Sequence, residues 1–170
     1  VYDDKPWIRD LEELVRRLDS GHHKLIGICF GHQVIAKALG AVVDKSPKGW
    51  GCGIQRYQLT DAVLEADSQG RELSLIASHQ DQVMTMPAGA VGVATSDHCN
   101  IAGFRLGNHI LTFQGHPEFI PDYSREIMQF RREMIGERHV VAGLASLASE
   151  EHQGARVARW MLSFLAADQR

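Results

Sequence analysis

The stretch Gly27-Ile28-Cys29-Phe30-Gly31-His32-Gln33 decides how this sequence is interpreted. It follows a short apolar segment and leads directly into residues 34–39, which are typical of a helix. This order predicts a strand that ends at a cysteine and is followed at once by a helix. The flanking glycines permit a sharp, strained turn where a residue with a Cβ would clash, and the helix N-terminus favours the thiolate. Serine hydrolases place their nucleophile on a turn of this kind, with Gly two residues away on either side.

A candidate base for this cysteine follows another predicted strand, at 109–113. That strand leads into the run Gln114-Gly115-His116-Pro117-Glu118-Phe119. A histidine in the loop after one strand can reach a thiol at the end of a neighbouring strand. Glu118 can orient the His116 ring and stabilise its protonated form, as the acid does in a catalytic triad. Pro117 stiffens the loop that carries both side chains. His32 is a weaker candidate base, because it shares the tight turn with Cys29 and is expected to point elsewhere.

Hydrophobic periodicity predicts alternating helices and strands along the chain. Helices are predicted at 6–18, 34–39, 122–135 and 150–166. Strands are predicted at 25–29, 41–45, 52–60, 73–78, 91–95, 101–106 and 109–113. The alternation over 52–60 is typical of an exposed antiparallel strand, and 136–148 is predicted to form a surface loop.

This element order predicts an α/β fold. We expect an open, mainly parallel sheet with helices on both faces, to which the middle of the chain adds antiparallel strands. The length of 170 residues and the absence of a linker favour a single domain over 1–170. An α/β domain normally begins with a strand, whereas this sequence begins with a helix. We therefore expect that an N-terminal strand is missing from it.

Composition narrows the possible functions. The chain is 44% hydrophobic and 23% charged, which argues against a globally disordered protein. A formal net charge of -3 argues against a nucleic-acid partner, and the lack of a long apolar run argues against a membrane partner. Three cysteines are too few for a disulfide framework, so a reducing, cytoplasmic setting is expected. Cys52 and Cys99 are interpreted as small buried hydrophobes.

The nine histidines do not predict a metal site. His22 and His23 are adjacent, and no pair of histidines or cysteines has the spacing of metal ligands on a helix or in a Cys-x-x-Cys motif. We expect neither a metal nor any other cofactor.

The cysteine motif and the His116-Pro-Glu118 motif together resemble those of class I glutamine amidotransferases, over nearly the whole chain. The blocks 46–51, 78–83 and 113–119 are similar to those of the stand-alone, GMP-synthase-like group. This resemblance implies a flavodoxin-like fold and a triad of Cys29, His116 and Glu118. Cys29 would attack the γ-carbonyl of glutamine and form a γ-glutamyl thioester, which water would release as glutamate.

The resemblance also implies substrate-binding residues. The backbone N–H of Phe30 is the expected oxyanion donor, Gln33 is similar to the family's glutamine-binding side chain, and Ser78 and His79 to the segment that holds the α-amino and α-carboxylate groups. A second oxyanion donor is expected from a glycine-containing loop that would precede Val1. From the residues alone, Gln33 can equally face solvent, and Ser78 and His79 can be ordinary strand-end residues. Trp50 can line a substrate pocket or fill the core.

Three functions follow from these residues. The first is a glutamine amidotransferase subunit that supplies ammonia to a separate synthase subunit. The second is a stand-alone hydrolase of γ-glutamyl amines or peptides, which uses the same triad with a more open pocket. The third is a non-catalytic relative that serves as a binding or regulatory module, and the presence of Cys29, His116 and Glu118 counts against it.

Overall fold

The computed structural model describes residues 1, 3–61 and 70–167. The helices are α1 (Pro6–Ser20), α2 (Phe30–Ala38), α3 (Pro121–Phe130), α4 (Arg132–Ile135), α5 (Glu137–Ser149) and α6 (Gly154–Ala166). The strands are β1 (Leu25–Ile28), β2 (Val43–Lys45), β3 (Gly51–Leu59), β4 (Glu72–His79), β5 (Asp81–Val83), β6 (Val91–Thr95), β7 (Gly103–Leu106) and β8 (Ile110–Phe113). Within these described ranges, no helix has both the length and the apolar character needed to cross a membrane.

The main sheet has the strand order β1-β8-β7-β6-β3-β4. Its β1 and β8 strands are parallel, and its other pairings are antiparallel. A second, two-stranded sheet pairs β2 with β5. The expected α/β fold is confirmed, but the sheet is mixed and not mainly parallel. The reason is the length of the connections: residues 107–109 alone join β7 to β8, and so short a connection permits only an antiparallel pair.

Helices cover both faces of the main sheet, as expected. Successive residues of β8 point to opposite faces, and Ile110 and Leu111 accordingly belong to different cores. Ile110 packs with Val15 of α1 and Ile35 of α2. Leu111 packs with Val157 of α6 on the other face. Because β1 and β8 are parallel, their carboxyl ends lie at the same edge of the sheet. Both strands lie between the two packed layers.

Three local expectations are wrong. Residues 136–148 are not a surface loop but lie largely in helix α5, because Val140, Gly143 and Leu147 recur at helical spacing and are buried against the sheet. Gly143 packs so closely there that a Cβ on Gly53 would lie 2.5 Å from the Gly143 Cα. The predicted helix 122–135 is two helices, which meet at Arg131. The strand at 52–60 is antiparallel as predicted but not exposed, since Ile54 and Tyr57 are buried in cores on its opposite faces.

Candidate active site

Cys29 occupies the sharp turn between β1 and α2, as the sequence predicts. Its backbone has φ 50° and ψ -100°, a conformation that is strained for a residue with a side chain. The Cys29 N–H donates to the Phe113 carbonyl at 2.9 Å, which continues the parallel pairing of β1 and β8 up to the turn. The neighbouring sheet strand therefore holds the strained residue in place. This is the geometry of a nucleophile elbow.

The two flanking glycines have different roles. A Cβ on Gly27 would lie 2.8 Å from the backbone carbon of Gly31 and 2.7 Å from Cδ1 of Ile35, so Gly27 is needed where β1 and α2 approach most closely. A Cβ on Gly31 would have nothing within 4 Å. The expectation that both glycines avoid a clash is therefore correct for Gly27 and wrong for Gly31.

The Cys29 thiol is largely shielded from water. Burial raises its pKa to about 11, and the negative charge of Glu118 adds to the rise. The backbone N–H of Phe30 and the side-chain amide of Gln114 act in the opposite direction, and the Gln114 Nε2 lies 3.6 Å from the sulfur. Burial therefore outweighs the helix N-terminus, and the resting thiol is protonated at neutral pH. Such a thiol needs a base to become a nucleophile.

The His116 ring is held by an acid and by an aromatic ring. Its Nδ1 lies 2.7 Å from Oε1 of Glu118. Phe119 stacks on it, with the ring centroids 3.9 Å apart, and the His116 backbone N–H donates to the Ile76 carbonyl of β4 at 2.8 Å. A carboxylate at Nδ1 requires a proton on that nitrogen, which leaves Nε2 free to accept another. In this tautomer, Nε2 is the ring nitrogen of His116 that can accept a proton.

A cavity of about 940 Å³ opens beside the cysteine. Cys29 and the four predicted substrate-binding residues, Phe30, Gln33, Ser78 and His79, line it, whereas His116 and Glu118 are not among its lining residues. The cavity is also lined by residues that the sequence did not predict, apart from the open alternative for Trp50. These include Trp50, Arg131, Met134, Ile135 and His139.

Ser78 and His79 place unpartnered polar atoms beside this cavity. The Ser78 Oγ and the His79 Nε2 are buried and have no hydrogen-bond partner among the residues that the structure describes. The His79 Nδ1 lies 3.1 Å from the Asp81 carbonyl, which requires a proton on Nδ1 and leaves Nε2 as an acceptor. Burial, together with the nearby His98, lowers the pKa of His79 to about 3, so the ring is neutral.

Gln33 lies in the cavity wall, but protein groups occupy its amide nitrogen. Its Nε2 donates to the Asp81 carbonyl at 2.8 Å and to Oε1 of Gln114 at 3.1 Å. The side chain is therefore fixed by β5 and by the residue that follows β8. If Gln33 contacts a substrate, the contacting atom is its Oε1.

His32 points away from the cysteine, as expected. Its ring is buried, with Nδ1 2.8 Å from the Thr112 hydroxyl and Nε2 3.1 Å from the Ile101 carbonyl. Cys52 and Cys99 are buried in the cores, as expected for small hydrophobes. In the described part of the chain, no three His, Cys, Asp or Glu side chains are grouped as metal ligands would be.

Comparison with known proteins identifies the family of this sequence. The sequence model of the family Glutamine amidotransferase class-I matches residues 4–133. The chain belongs to this family. Among its relatives, Gamma-glutamyl peptidase 5 of Arabidopsis thaliana is 36% identical over 133 residues, which are 75% of this chain and 51% of that protein. A glutamine-hydrolyzing GMP synthase component of Methanopyrus kandleri is 30% identical over 132 residues, which are 74% of this chain and 67% of that protein.

Solved structures confirm the fold of the family. A glutamine amidotransferase of Thermotoga maritima matches with a TM-score of 0.79 at 20% identity, over 98% of this chain and 74% of that one. The flavodoxin-like α/β fold implied by the sequence motifs is thus confirmed. The chain spans about half the length of the plant γ-glutamyl peptidases that it matches.

Proposed function

We propose that this protein hydrolyses γ-glutamyl amide bonds, with Cys29 as nucleophile, His116 as general base and acid, and Glu118 as the residue that orients His116. The observation that carries the proposal is the strained cysteine elbow at the cavity wall, together with the 2.7 Å contact between His116 and Glu118. A buried thiol whose pKa is raised to about 11 is unreactive alone, which is why this site needs the histidine.

The reaction takes place in two steps. His116 accepts the thiol proton, the sulfur attacks the γ-carbonyl, and a tetrahedral intermediate forms. Its C–N bond breaks as His116 donates the proton to the departing nitrogen, which leaves a γ-glutamyl thioester on Cys29. Water, deprotonated by His116, then attacks the thioester, the C–S bond breaks as His116 returns the proton to the sulfur, and glutamate leaves.

The oxyanion of both tetrahedral intermediates needs hydrogen-bond donors. The backbone N–H of Phe30 lies at the start of α2 beside the sulfur, where the helix dipole also favours negative charge. We assign it as one donor. A second donor from a glycine-containing loop, which the resemblance implies, stays a prediction.

The substrate we favour is a γ-glutamyl peptide or amine. The cavity of about 940 Å³ lies near the upper end of the roughly 300–1,000 Å³ typical of pockets for drug-sized ligands, which leaves room for a leaving group larger than ammonia. Lys45 and Arg131 line it, and neither forms an ion pair with the described residues. They suit a leaving group that carries a carboxylate. The names of the plant relatives support this choice.

The second candidate is a glutaminase that passes ammonia to a synthase subunit. The Methanopyrus kandleri relative, which is named as part of a glutamine-hydrolyzing GMP synthase, supports it. The chemistry at Cys29 is the same, and the two candidates differ only in what leaves. Because the mechanism needs a free thiol, we also propose the reducing cytoplasm as the protein's location.

Glutamate release by the full-length protein tests the proposal. The substrates are glutamine and a panel of γ-glutamyl amines and peptides, and the variants are Cys29→Ala and, as a matched control, Cys52→Ala. Cys52 is also a buried free cysteine, but its sulfur donates to the His139 carbonyl in a different core. We expect Cys29→Ala to abolish release and Cys52→Ala to retain it.

The substrate preference decides between the two candidates. A preference for peptides selects the first candidate, and turnover of glutamine alone selects the second. Release that survives Cys29→Ala, or no release from any substrate, contradicts the proposal.

A further inference from the structure

A chain of buried amides leads from β5 to the cysteine sulfur. Gln114, the first residue after β8, has no solvent exposure. Its Nε2 lies 3.6 Å from Sγ of Cys29, and its Oε1 accepts a hydrogen bond from Nε2 of Gln33 at 3.1 Å. The same Gln33 nitrogen donates its other proton to the Asp81 carbonyl at 2.8 Å. These contacts form one continuous path of hydrogen bonds.

This path fixes the orientation of both amides. A carboxamide can be turned by 180° with almost no change in shape, so only its partners define which end is the donor. The Asp81 carbonyl can only accept, which requires the nitrogen of Gln33 at that end. The second proton on that nitrogen requires the oxygen of Gln114, and the Gln114 nitrogen must therefore face the sulfur.

We propose that Gln114 is a further catalytic residue, a donor that stabilises the sulfur anion of Cys29 at the moment of attack, with Gln33 and the Asp81 carbonyl locking it in the donor orientation. This inference rests on the proposed function, since it assigns a role in activating the same cysteine. Its basis is the position of a fully buried side-chain amide against the reacting atom, at the edge where the parallel strands β1 and β8 end.

The physical effect is selective for the anion. A neutral thiol is a weak acceptor, whereas a thiolate forms charge-assisted hydrogen bonds. Burial and Glu118 raise the Cys29 pKa, and the Gln114 amide lowers it. Gln114 therefore offsets part of the cost of forming a thiolate away from water, and removing it makes the sulfur harder to ionise.

Gln82 shows what a purely structural glutamine is like in this fold. It too is buried, and its Nε2 donates to the backbone carbonyl of His98 at 3.0 Å. That bond joins two backbone segments and involves no reactive atom. Gln82→Met and Gln114→Met are thus the same chemical change at a structural site and at the proposed catalytic site.

The experiment measures alkylation of Cys29 by iodoacetamide as a function of pH in the full-length protein, with the labelled peptide quantified by mass spectrometry. A lost hydrogen bond to a charged group is expected to raise the alkylation midpoint of Gln114→Met by about one pH unit. Gln82→Met is expected to keep the wild-type midpoint. With an active substrate, kcat of Gln114→Met should fall by about tenfold at neutral pH, with little change in KM. A folded Gln114→Met with the wild-type midpoint would overturn the inference.

A second variant covers the case in which Gln114→Met does not fold. Gln33→Met leaves Gln114 in place but removes the donor that orients it, so its midpoint should rise by a smaller amount in the same direction. An unchanged midpoint there would also overturn the inference. Alkylation needs no substrate, so a protein that releases no glutamate would contradict the proposed function without affecting this readout.

Discussion

Gly27→Ala should destabilise the protein, while Gly31→Ala should not. An added methyl group at Gly27 would lie 2.8 and 2.9 Å from the backbone carbon and oxygen of Gly31, and ordinary contact begins at 3.4 Å. The Ile35 side chain can turn aside, but the start of α2 must move by roughly half an ångström. Overpacking of this kind costs about 1–3 kcal/mol. At Gly31 the methyl group meets open space, and alanine in a helix is favoured over glycine by roughly 0.5–1 kcal/mol.

The assay is urea unfolding of the wild type and both variants, followed by circular dichroism. The two variants should differ in unfolding free energy by about 1.5–4 kcal/mol, with Gly31→Ala the more stable. Because the displaced helix start carries the elbow, Gly27→Ala should also lose activity on the order of tenfold, since a misplacement of about 1 Å costs up to 10²-fold. Equal stability of the two variants would refute this account of the turn.

Three further predictions concern Glu118, the buried histidines and Arg131 at the cavity. Glu118→Gln should lower kcat by about 10²-fold, the lower end for general acid–base catalysis, because water reaches this half-exposed side chain and replaces part of its effect. Burial lowers the pKa of His32 and His79 to about 3, whereas the ordinary histidine pKa is 6.5. The unfolded chain therefore binds more protons between these values. The free energy of unfolding should be highest above about pH 6.5 and fall below it by about 1.4 kcal/mol per pH unit for each histidine. In the same urea titrations His32→Gln should remove one histidine's share of that slope. Arg131→Met should raise KM by about tenfold for γ-glutamyl peptides with a free carboxylate but not for glutamine.

Each of these predictions has an outcome that contradicts it. Full activity of Glu118→Gln would show that His116 needs no acid partner. A stability that is flat between neutral pH and about pH 4 would mean that the buried histidines accept protons in the folded state. An equal change in KM for peptides and for glutamine would mean that Arg131 does not bind the carboxylate of the leaving group.

The elbow and the His116 loop could be predicted because each depends on residues that are close together in the sequence. Seven consecutive residues indicate a strand, a cysteine and a helix in that order, and His116 and Glu118 are two residues apart. Helix α1 and most strands follow from periodicity in the same way. Local patterns of this kind also produced the resemblance that comparison with known proteins confirmed.

The contribution of Arg131 and His139 to the cavity could not be predicted from local patterns. Arg131 and His139 reach it because α3 and α4 meet at a break and α5 packs on β3, and both features depend on contacts distant in sequence. Helix α5 could have been predicted from its alanines and leucines and from the helical spacing of its buried residues Val140, Gly143 and Leu147. The protonated state of the Cys29 thiol does not follow from the local motif, because burial in the fold and the charge of Glu118, which is distant in sequence, raise its pKa.

The most direct test of the central claim is to trap the γ-glutamyl thioester. The full-length protein is mixed with a γ-glutamyl peptide, quenched in acid within its first turnovers, and digested for mass spectrometry. We predict a γ-glutamyl adduct on the peptide that contains Cys29, and its loss in Cys29→Ala. Glutamate release with no adduct on Cys29, or an adduct on Cys52 or Cys99 instead, would contradict the claim.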